Sequence, residues 1–208
     1  MLQTIRAVMM PNGRPSIRGF VITALVPAIL VTVLVLRILH ANSVATSKSP
    51  SVTNPNAAPD FTVNIWNGSP GERIHLAALR GKPVVLNFWG SWCEPCQAEA
   101  PVLSAAARTY AAQGVVFIGV AFQTPQKDGL AFIKQHGITY PCGPDPAGNI
   151  VTDFGITGLP QTLLIDRNGI IVQRFPGQIS AATFDPAVKA LAAGQLQPSA
   201  TATPGLHG

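Results

Sequence analysis

The chain has 208 residues, with 14 Lys or Arg against 9 Asp or Glu, which gives a formal net charge of +5 at pH 7. Three of the basic residues, Arg6, Arg14 and Arg18, precede a long apolar segment, so the rest of the chain is close to neutral. The sequence contains neither a run of Lys and Arg nor a basic patch with interleaved aromatic residues, which argues against a nucleic-acid partner. Its 3 cysteines are too few for a disulfide framework.

The apolar segment is long enough to cross a bilayer. Residues 20–36 carry no charge, and two more apolar residues follow Arg37, so we predict a transmembrane anchor over residues 20–39. Because three arginines precede this span and few basic residues follow it, the positive-inside rule places residues 1–19 in the cytoplasm. The sequence thus predicts a single-pass protein of the cytoplasmic membrane, with its remainder on the outer, extracytoplasmic side.

A cleaved signal peptide is the alternative for this segment, with Ala41-Asn42-Ser43 as the candidate cleavage site. Either outcome delivers the rest of the chain to the same side of the membrane. Residues 40–59 are rich in Ser, Thr, Asn, Ala and Pro and are predicted to form a flexible linker, and residues 195–208 a disordered tail. One folded domain at residues 60–194 remains, which is large enough for one hydrophobic core.

Apolar runs bounded by turn residues predict that this domain is an α/β domain. Residues 83–89 and 115–121 are near-continuous apolar runs, typical of strands buried on both faces, and the helical stretch between them favours parallel pairing. Asn168-Gly169 lies between two β-rich runs and predicts a hairpin. The expected architecture is a central mixed sheet flanked by helices, with an N-terminal hairpin extension. Its other predicted elements are the hairpin strands 61–65 and 73–76, the helices 126–136, 149–154 and 180–193, and a short edge strand at 140–143.

The segment Trp92-Cys93-Glu94-Pro95-Cys96 joins the first buried strand to the helix predicted over residues 97–113. Two thiols separated by two residues at such a junction form a reversible dithiol/disulfide couple. A helix N-terminus stabilises a thiolate, so Cys93 is predicted to be the attacking thiol. Cys96, in the first helical turn, is predicted to be the resolving thiol.

Four other roles for this cysteine pair are weaker. A structural zinc site needs four ligands, and neither Cys142 nor the four histidines show ligand spacing around the pair. A purely structural disulfide would close too small a loop to stabilise the fold much. A copper metallochaperone could use the thiols as soft ligands, but a third ligand is not evident. A peroxidase would need one isolated cysteine in an arginine-supported pocket. A redox role without metal or cofactor is therefore favoured.

Two further residues have competing interpretations. Asn87 interrupts a buried strand, and it either makes a structural hydrogen bond, which is the favoured interpretation, or influences the thiols. Cys142 is predicted to be a buried small residue rather than a third redox centre, because neither a second cysteine nor a helix terminus is evident beside it.

Three stretches of the domain resemble the membrane-anchored, thioredoxin-like thiol-disulfide oxidoreductases of bacteria, of the TlpA and ResA type, many of which serve cytochrome c maturation. They are residues 81–96 (GKPVVLNFWGSWCEPC), Glu99-Ala100-Pro101, and residues 155–160 (GITGLP) leading into Leu164-Ile165-Asp166. The resemblance spans about residues 60–193. It implies that the predicted domain has the thioredoxin-like fold.

The resemblance also implies which residues form the site. Pro160 is similar to the cis-proline that packs opposite the dithiol in this family, which would leave the backbone of Leu159 free to pair with an extended substrate segment. The implied substrate-binding residues are Trp92, Glu94, Pro95, Leu159 and Pro160.

Glu99 matches a glutamate that this branch carries near the dithiol, where it can accept or relay the proton of the resolving thiol. The alternative is an ordinary exposed helical carboxylate, and the sequence does not decide between the two. Asn87 stands where general thioredoxins carry a buried aspartate but agrees with this branch. That difference shifts proton transfer toward Glu99.

The function implied by the resemblance is protein-disulfide reduction, with Cys93 attacking a substrate disulfide and Cys96 releasing the reduced product. Expected partners are oxidised exported thiol proteins, above all the haem-binding C-x-x-C-His site of apocytochrome c. A membrane thiol-electron transporter is expected to re-reduce the dithiol. A reductant or metallochaperone for a copper-site protein is the alternative.

Overall fold

The computed structural model describes residues 54–198. The anchor predicted at residues 20–39 lies outside this range, as do residues 1–19, most of the predicted linker and most of the predicted tail. Within the described range, no helix is both long enough and apolar enough to cross a membrane.

The described residues form seven strands, four α-helices and two short 3-10 helices. The strands are β1 (Thr62–Asn64), β2 (Arg73–His75), β3 (Val84–Trp89), β4 (Val116–Phe122), β5 (Cys142–Asp145), β6 (Gln161–Ile165) and β7 (Ile171–Pro176). The α-helices are α1 (Glu94–Tyr110), α2 (Gln126–Gln135), α3 (Asn149–Asp153) and α4 (Ala181–Ala192), and the 3-10 helices are Leu76–Leu79 and Ala111–Gln113.

Five of the strands form one mixed sheet in the order β5-β4-β3-β6-β7. β3 and β4 pair in parallel through the crossover helix α1, and β4 and β5 pair in parallel through α2. β6 pairs antiparallel with both β3 and β7. The turn at Asn168 and Gly169 connects β6 to β7, and there the Asp166 carboxylate accepts hydrogen bonds from two backbone N–H groups. The predicted α/β domain with a central mixed sheet and flanking helices is confirmed.

The central strand β3 separates two hydrophobic clusters because its side chains alternate between the faces of the sheet. Val85 and Trp89 pack in a cluster with side chains of α1, α2 and α4. Val84, Leu86 and Phe88 pack in a second cluster on the other face, with side chains of β1 and α3. All six β3 residues are buried, as the continuous apolar run predicts.

Strands β1 and β2 form a separate antiparallel pair beside the edge strand β5. The Trp66 N–H donates to the Cys142 carbonyl (2.8 Å), and the Asn67 amide donates to the Tyr140 carbonyl (2.9 Å) and accepts from the Cys142 N–H (2.8 Å). These bonds satisfy part of the β5 edge, which would otherwise expose unpaired backbone groups.

The folded domain begins earlier than the predicted boundary at residue 60, so the assignment of residues 56–58 to the linker is wrong. The Ile171 N–H donates to the Asn56 carbonyl (2.7 Å), and the Ala58 N–H donates to the Gly169 carbonyl (2.9 Å). Ala57 forms a bridge with Ile170. These contacts use backbone groups, which leave no periodic pattern of apolar side chains in the sequence.

Gly143 in β5 permits the close approach of the β1–β2 pair. A Cβ atom at this position would overlap the Asn64 carbonyl oxygen. We therefore expect Gly143→Ala to lower the free energy of unfolding by about 1–3 kcal/mol, the usual cost of overpacking. Urea denaturation, with the midpoint read at constant m-value, measures this change.

Gly158 supplies the matched control, because a Cβ atom there would meet nothing within 4 Å. We expect Gly158→Ala to change the free energy of unfolding by no more than about 0.5 kcal/mol. Equal effects of the two substitutions would contradict a steric requirement for glycine in β5.

Candidate active site

Cys93 and Cys96 form a disulfide bond at the N-terminus of α1, with S–S 2.05 Å and Cα–Cα 5.3 Å. Cys93 is the N-cap residue, and its Sγ atom accepts a hydrogen bond from the Cys96 N–H (3.3 Å). Pro95 lies in the first turn, where its missing N–H has no intrahelical partner to lose. The helix therefore directs its positive end at the Cys93 sulfur, which favours the thiolate when the bond is reduced.

Both cysteines of the disulfide are buried, whereas the neighbouring Trp92 is exposed. Cys93 is 5% exposed and Cys96 is 2% exposed, whereas Trp92 is 59% exposed. Glu94 and Pro95 are also exposed, on the same first turn. The disulfide is thus reached past a rim of exposed side chains, and Cys93 is the more accessible of the two cysteines.

The loop between β3 and α1 is held by Thr124, a residue that the sequence pattern did not single out. The Ser91 N–H donates to the Thr124 hydroxyl (3.2 Å), which in turn donates to the Phe122 carbonyl (3.0 Å). Thr124 follows β4, and its distance in sequence from the dithiol leaves no local signal of this role. The bond ties the dithiol loop to the neighbouring strand end.

Pro160 and Leu159 lie at the same end of the sheet as the dithiol. β3 pairs with β6 so that Phe88 stands opposite Gln161, which places Pro160 beside the end of β3 that leads into the dithiol loop. The Leu159–Pro160 peptide bond is cis, and Pro160 is buried. Leu159 is half-buried against the cluster that contains both cysteines.

Glu99 is buried one turn along α1 from Cys96, with 1% of its surface exposed. Its Oε1 accepts a hydrogen bond from the Asn87 side-chain amide (2.9 Å), and its Oε2 accepts one from the Ile179 N–H (3.1 Å). The Asn87 amide also donates to the Thr162 hydroxyl (3.0 Å). This network joins α1, β3, β6 and the segment before α4, so the alternative of an exposed carboxylate is wrong.

Burial raises the pKa of the Glu99 carboxyl from 4.5 to about 7, and the hydrogen bonds from Ile179 and Asn87 only partly oppose this shift. Glu99 follows Cys96 by three residues on α1, so the two side chains occupy neighbouring positions on one face of the helix. The structural interpretation of Asn87 is confirmed, because its side chain donates hydrogen bonds to Glu99 and Thr162, and its influence on the thiols stays a prediction.

An open groove of about 370 Å³ lies beside the dithiol. One side of the groove is formed by Ser91, Trp92 and Gln97. The other side includes Asp128 and Phe132 of α2 and His136 at the C-terminal end of that helix. The Phe132 ring also stacks on Trp89 at a centroid distance of 4.4 Å, which links the groove wall to the end of β3.

Cys142 is the one cysteine outside the disulfide, and it is fully buried in β5. Burial raises the pKa of its thiol, so it stays protonated. Within residues 54–198, no group of three or more His, Cys, Asp or Glu side chains is placed to hold a metal ion. The chemistry that the arrangement supports is thiol-disulfide exchange at Cys93 and Cys96.

Comparisons with known proteins agree with this geometry. Residues 55–174 match the AhpC/TSA family. A thiol-disulfide oxidoreductase ResA from Bacillus cereus is 33% identical over 132 residues, which cover 64% of this chain and 75% of that protein. The ResA protein of Bacillus subtilis is 32% identical over 130 residues, which cover 62% and 71%.

Solved structures of thiol-disulfide proteins are also similar to this chain. A thiol:disulfide interchange protein of the thioredoxin family from Chlorobium tepidum superposes with a TM-score of 0.60 at 30% identity, covering 67% of this chain and 97% of that chain. A secreted disulfide oxidoreductase of Mycobacterium tuberculosis, homologous to Escherichia coli DsbE, has a TM-score of 0.57 at 27% identity, covering 63% and 96%. The chain therefore belongs to the thioredoxin-like AhpC/TSA family, as a thiol-disulfide oxidoreductase of the ResA type.

Proposed function

We propose that this oxidoreductase works as an extracytoplasmic protein-disulfide reductase whose substrate is the oxidised C-x-x-C-His site of an apocytochrome c. The observation that carries the exchange chemistry is the buried Glu99 carboxyl, one helical turn from Cys96, with a pKa of about 7. The Cys96 thiol must lose a proton before it can resolve a mixed disulfide, and a neighbouring carboxylate can accept that proton.

The reductive reaction has two exchange steps. The Cys93 thiolate attacks one sulfur of the substrate disulfide, so that a Cys93–substrate bond forms and the other substrate sulfur leaves as a thiolate. Cys96 then passes its proton to Glu99 and attacks the Cys93 sulfur, which forms the Cys93–Cys96 bond and releases the second substrate thiolate. The dithiol gives two electrons to the substrate and ends as the disulfide.

A separate reductant must restore the dithiol after each turnover. We assign this role to a membrane thiol-electron transporter, which would run the same two exchange steps in reverse. The anchor predicted at residues 20–39 would hold the domain at the outer face of the cytoplasmic membrane, within reach of such a donor. The similarity to an oxidoreductase described as secreted supports this side of the membrane.

The surface around the dithiol suits an extended polypeptide. Within residues 54–198, the Leu159 backbone has no hydrogen-bond partner, and it lies beside the end of the sheet that carries the dithiol. A substrate strand could therefore pair with it, as peptides do when they add to a sheet edge. The exposed Trp92 ring and the groove beside it would contact the residues that flank the substrate cysteines.

Single cysteine variants test the order of the two steps. We expect reduced Cys96→Ser to trap a stable mixed disulfide with an oxidised C-x-x-C-His peptide, because the resolving thiol is missing. Cys93→Ser should trap less than a tenth as much, and Cys142→Ser should turn the peptide over like the unmodified chain. Mass spectrometry of acid-quenched samples measures the adducts, and adducts that form mainly in Cys93→Ser would reverse the assignment.

The proton-accepting role of Glu99 predicts a pH profile. The rate of peptide reduction should rise as the Glu99 carboxyl ionises, with an inflection near pH 7. Glu99→Gln should remove this inflection and lower the rate about 100-fold at pH 8, the lower end of the usual range of acid–base catalysis. Glu72→Gln, in the hairpin turn, is the matched control, and a Glu99→Gln profile that keeps the inflection would exclude this role.

The same titration predicts how stability depends on pH. Between about pH 4.5 and 7 the folded chain keeps a proton on Glu99 that the unfolded chain has lost, so the free energy of unfolding should fall as pH rises. The total fall is about 3 kcal/mol. Urea denaturation of the oxidised chain from pH 4 to pH 8 measures it, with Glu99→Gln expected to flatten the curve. Parallel curves for the two proteins would show that Glu99 does not titrate in this range.

A further inference from the structure

A second cavity, of about 540 Å³, lies at the end of the sheet opposite the dithiol. It is formed by the C-terminal part of α1, the beginning of β4 and the segment that precedes β5. Val116 at the start of β4 stands opposite Val84, the first residue of β3, whereas the dithiol follows Trp89 at the other end of that strand. Along β3 the two sites are about 17 Å apart.

The cavity combines an apolar floor with a cationic rim. The floor of the cavity includes the buried apolar residues Ala107, Val115 and Phe117. The exposed cations Lys82, Arg108 and Arg167 line the rim, and they come from three different parts of the chain. A concave site with an apolar interior and a few converging polar groups is the usual form of a small-molecule site.

The distribution of charge in the domain makes this rim unusual. Residues 54–198 contain nine Lys or Arg and nine Asp or Glu, so the described part of the chain is formally neutral. Three of those nine cations line this one cavity, and none of the described residues that line it is Asp or Glu. The local excess of positive charge favours an anionic ligand.

Arg167 is held in place at the rim before any ligand binds. Its guanidinium donates to the Gly81 carbonyl (3.2 Å) and to the Ala192 carbonyl (3.0 Å). A guanidinium has five N–H donors, so donors remain for a further acceptor. The adjacent Asp166 carboxylate caps the β6–β7 turn by accepting hydrogen bonds from the Asn168 and Ile170 N–H groups (2.9 and 2.8 Å).

We propose that this cavity binds an amphiphile with a phosphate head, the phosphate oxygens meeting Lys82, Arg108 and Arg167 and the first part of the apolar chain covering the floor. Arginine and lysine together bind phosphate by charge-assisted hydrogen bonds, and the floor adds a hydrophobic contribution that free phosphate cannot use. Because the cavity is at the far end of the sheet, a bound amphiphile leaves the dithiol open. The site is independent of the substrate proposed above.

Calorimetric titration of the full-length chain with three soluble probes tests both halves of the site. We expect hexyl phosphate to bind at least tenfold more tightly than inorganic phosphate, and hexanol to show no binding. Dihexanoyl phosphatidylglycerol is a fourth probe, which distinguishes a membrane lipid from a phosphate monoester as the source of the phosphate head. Tighter binding than hexyl phosphate identifies a lipid headgroup site, and weaker binding identifies a site for phosphate monoesters.

The double substitution Lys82→Gln with Arg108→Gln should weaken hexyl phosphate binding at least tenfold, whereas Lys127→Gln on α2 should leave it unchanged. Peptide reduction at the distant dithiol should be unaffected in both variants, which also shows that they fold. If the double variant does not fold, Lys82→Gln alone and the salt dependence of binding replace it. The proposal would be overturned if hexanol or inorganic phosphate bound as tightly as hexyl phosphate. It would also be overturned if Lys127→Gln weakened hexyl phosphate binding as much as the double substitution.

Discussion

The arrangement of the site depends on one buried carboxylate and the groups that hold it. Glu99 accepts hydrogen bonds from the Asn87 amide and the Ile179 N–H, and Asn87 reaches on to Thr162. A carboxylate without partners would be too costly to bury, so these bonds allow it to lie inside the core while desolvation raises its pKa to about 7. The same bonds join α1 to the two central strands, and they therefore fix the helix whose first turn carries the dithiol.

The position of the dithiol follows from this anchorage and from the junction of β3 with α1. Cys93 ends the loop and caps the helix, so the residue that accepts a hydrogen bond at the helix N-terminus is also the one we propose as the nucleophile. The cost is that the ionised form of Glu99 destabilises the folded chain above neutral pH, since burial penalises its charge. Burial of Glu99 thus lowers the stability of the folded chain at high pH and gives a carboxyl that titrates near pH 7.

Local patterns predicted the elements well and the contacts between them poorly. The apolar run of β3, the Asn168-Gly169 turn and the cysteine pair each have a local physical cause, so the sequence was sufficient for them. Asn87 and Glu99 were both singled out, but their mutual hydrogen bond joins residues on different elements, and periodicity does not contain that information. Thr124, Thr162 and residues 56–58 were missed for the same reason, because their roles rest on backbone or long-range contacts.

A reductant and an oxidant with the same fold differ in the reduction potential of their cysteine pair. We would measure this potential for the Cys93–Cys96 couple in the full-length chain, by equilibration with dithiothreitol or glutathione couples and thiol trapping. A dedicated reductant in an oxidising compartment requires a potential near or below the roughly −270 mV of thioredoxin, which is the result we predict. A potential near the roughly −120 mV of the oxidant DsbA would rule out a reductant and identify a disulfide donor instead.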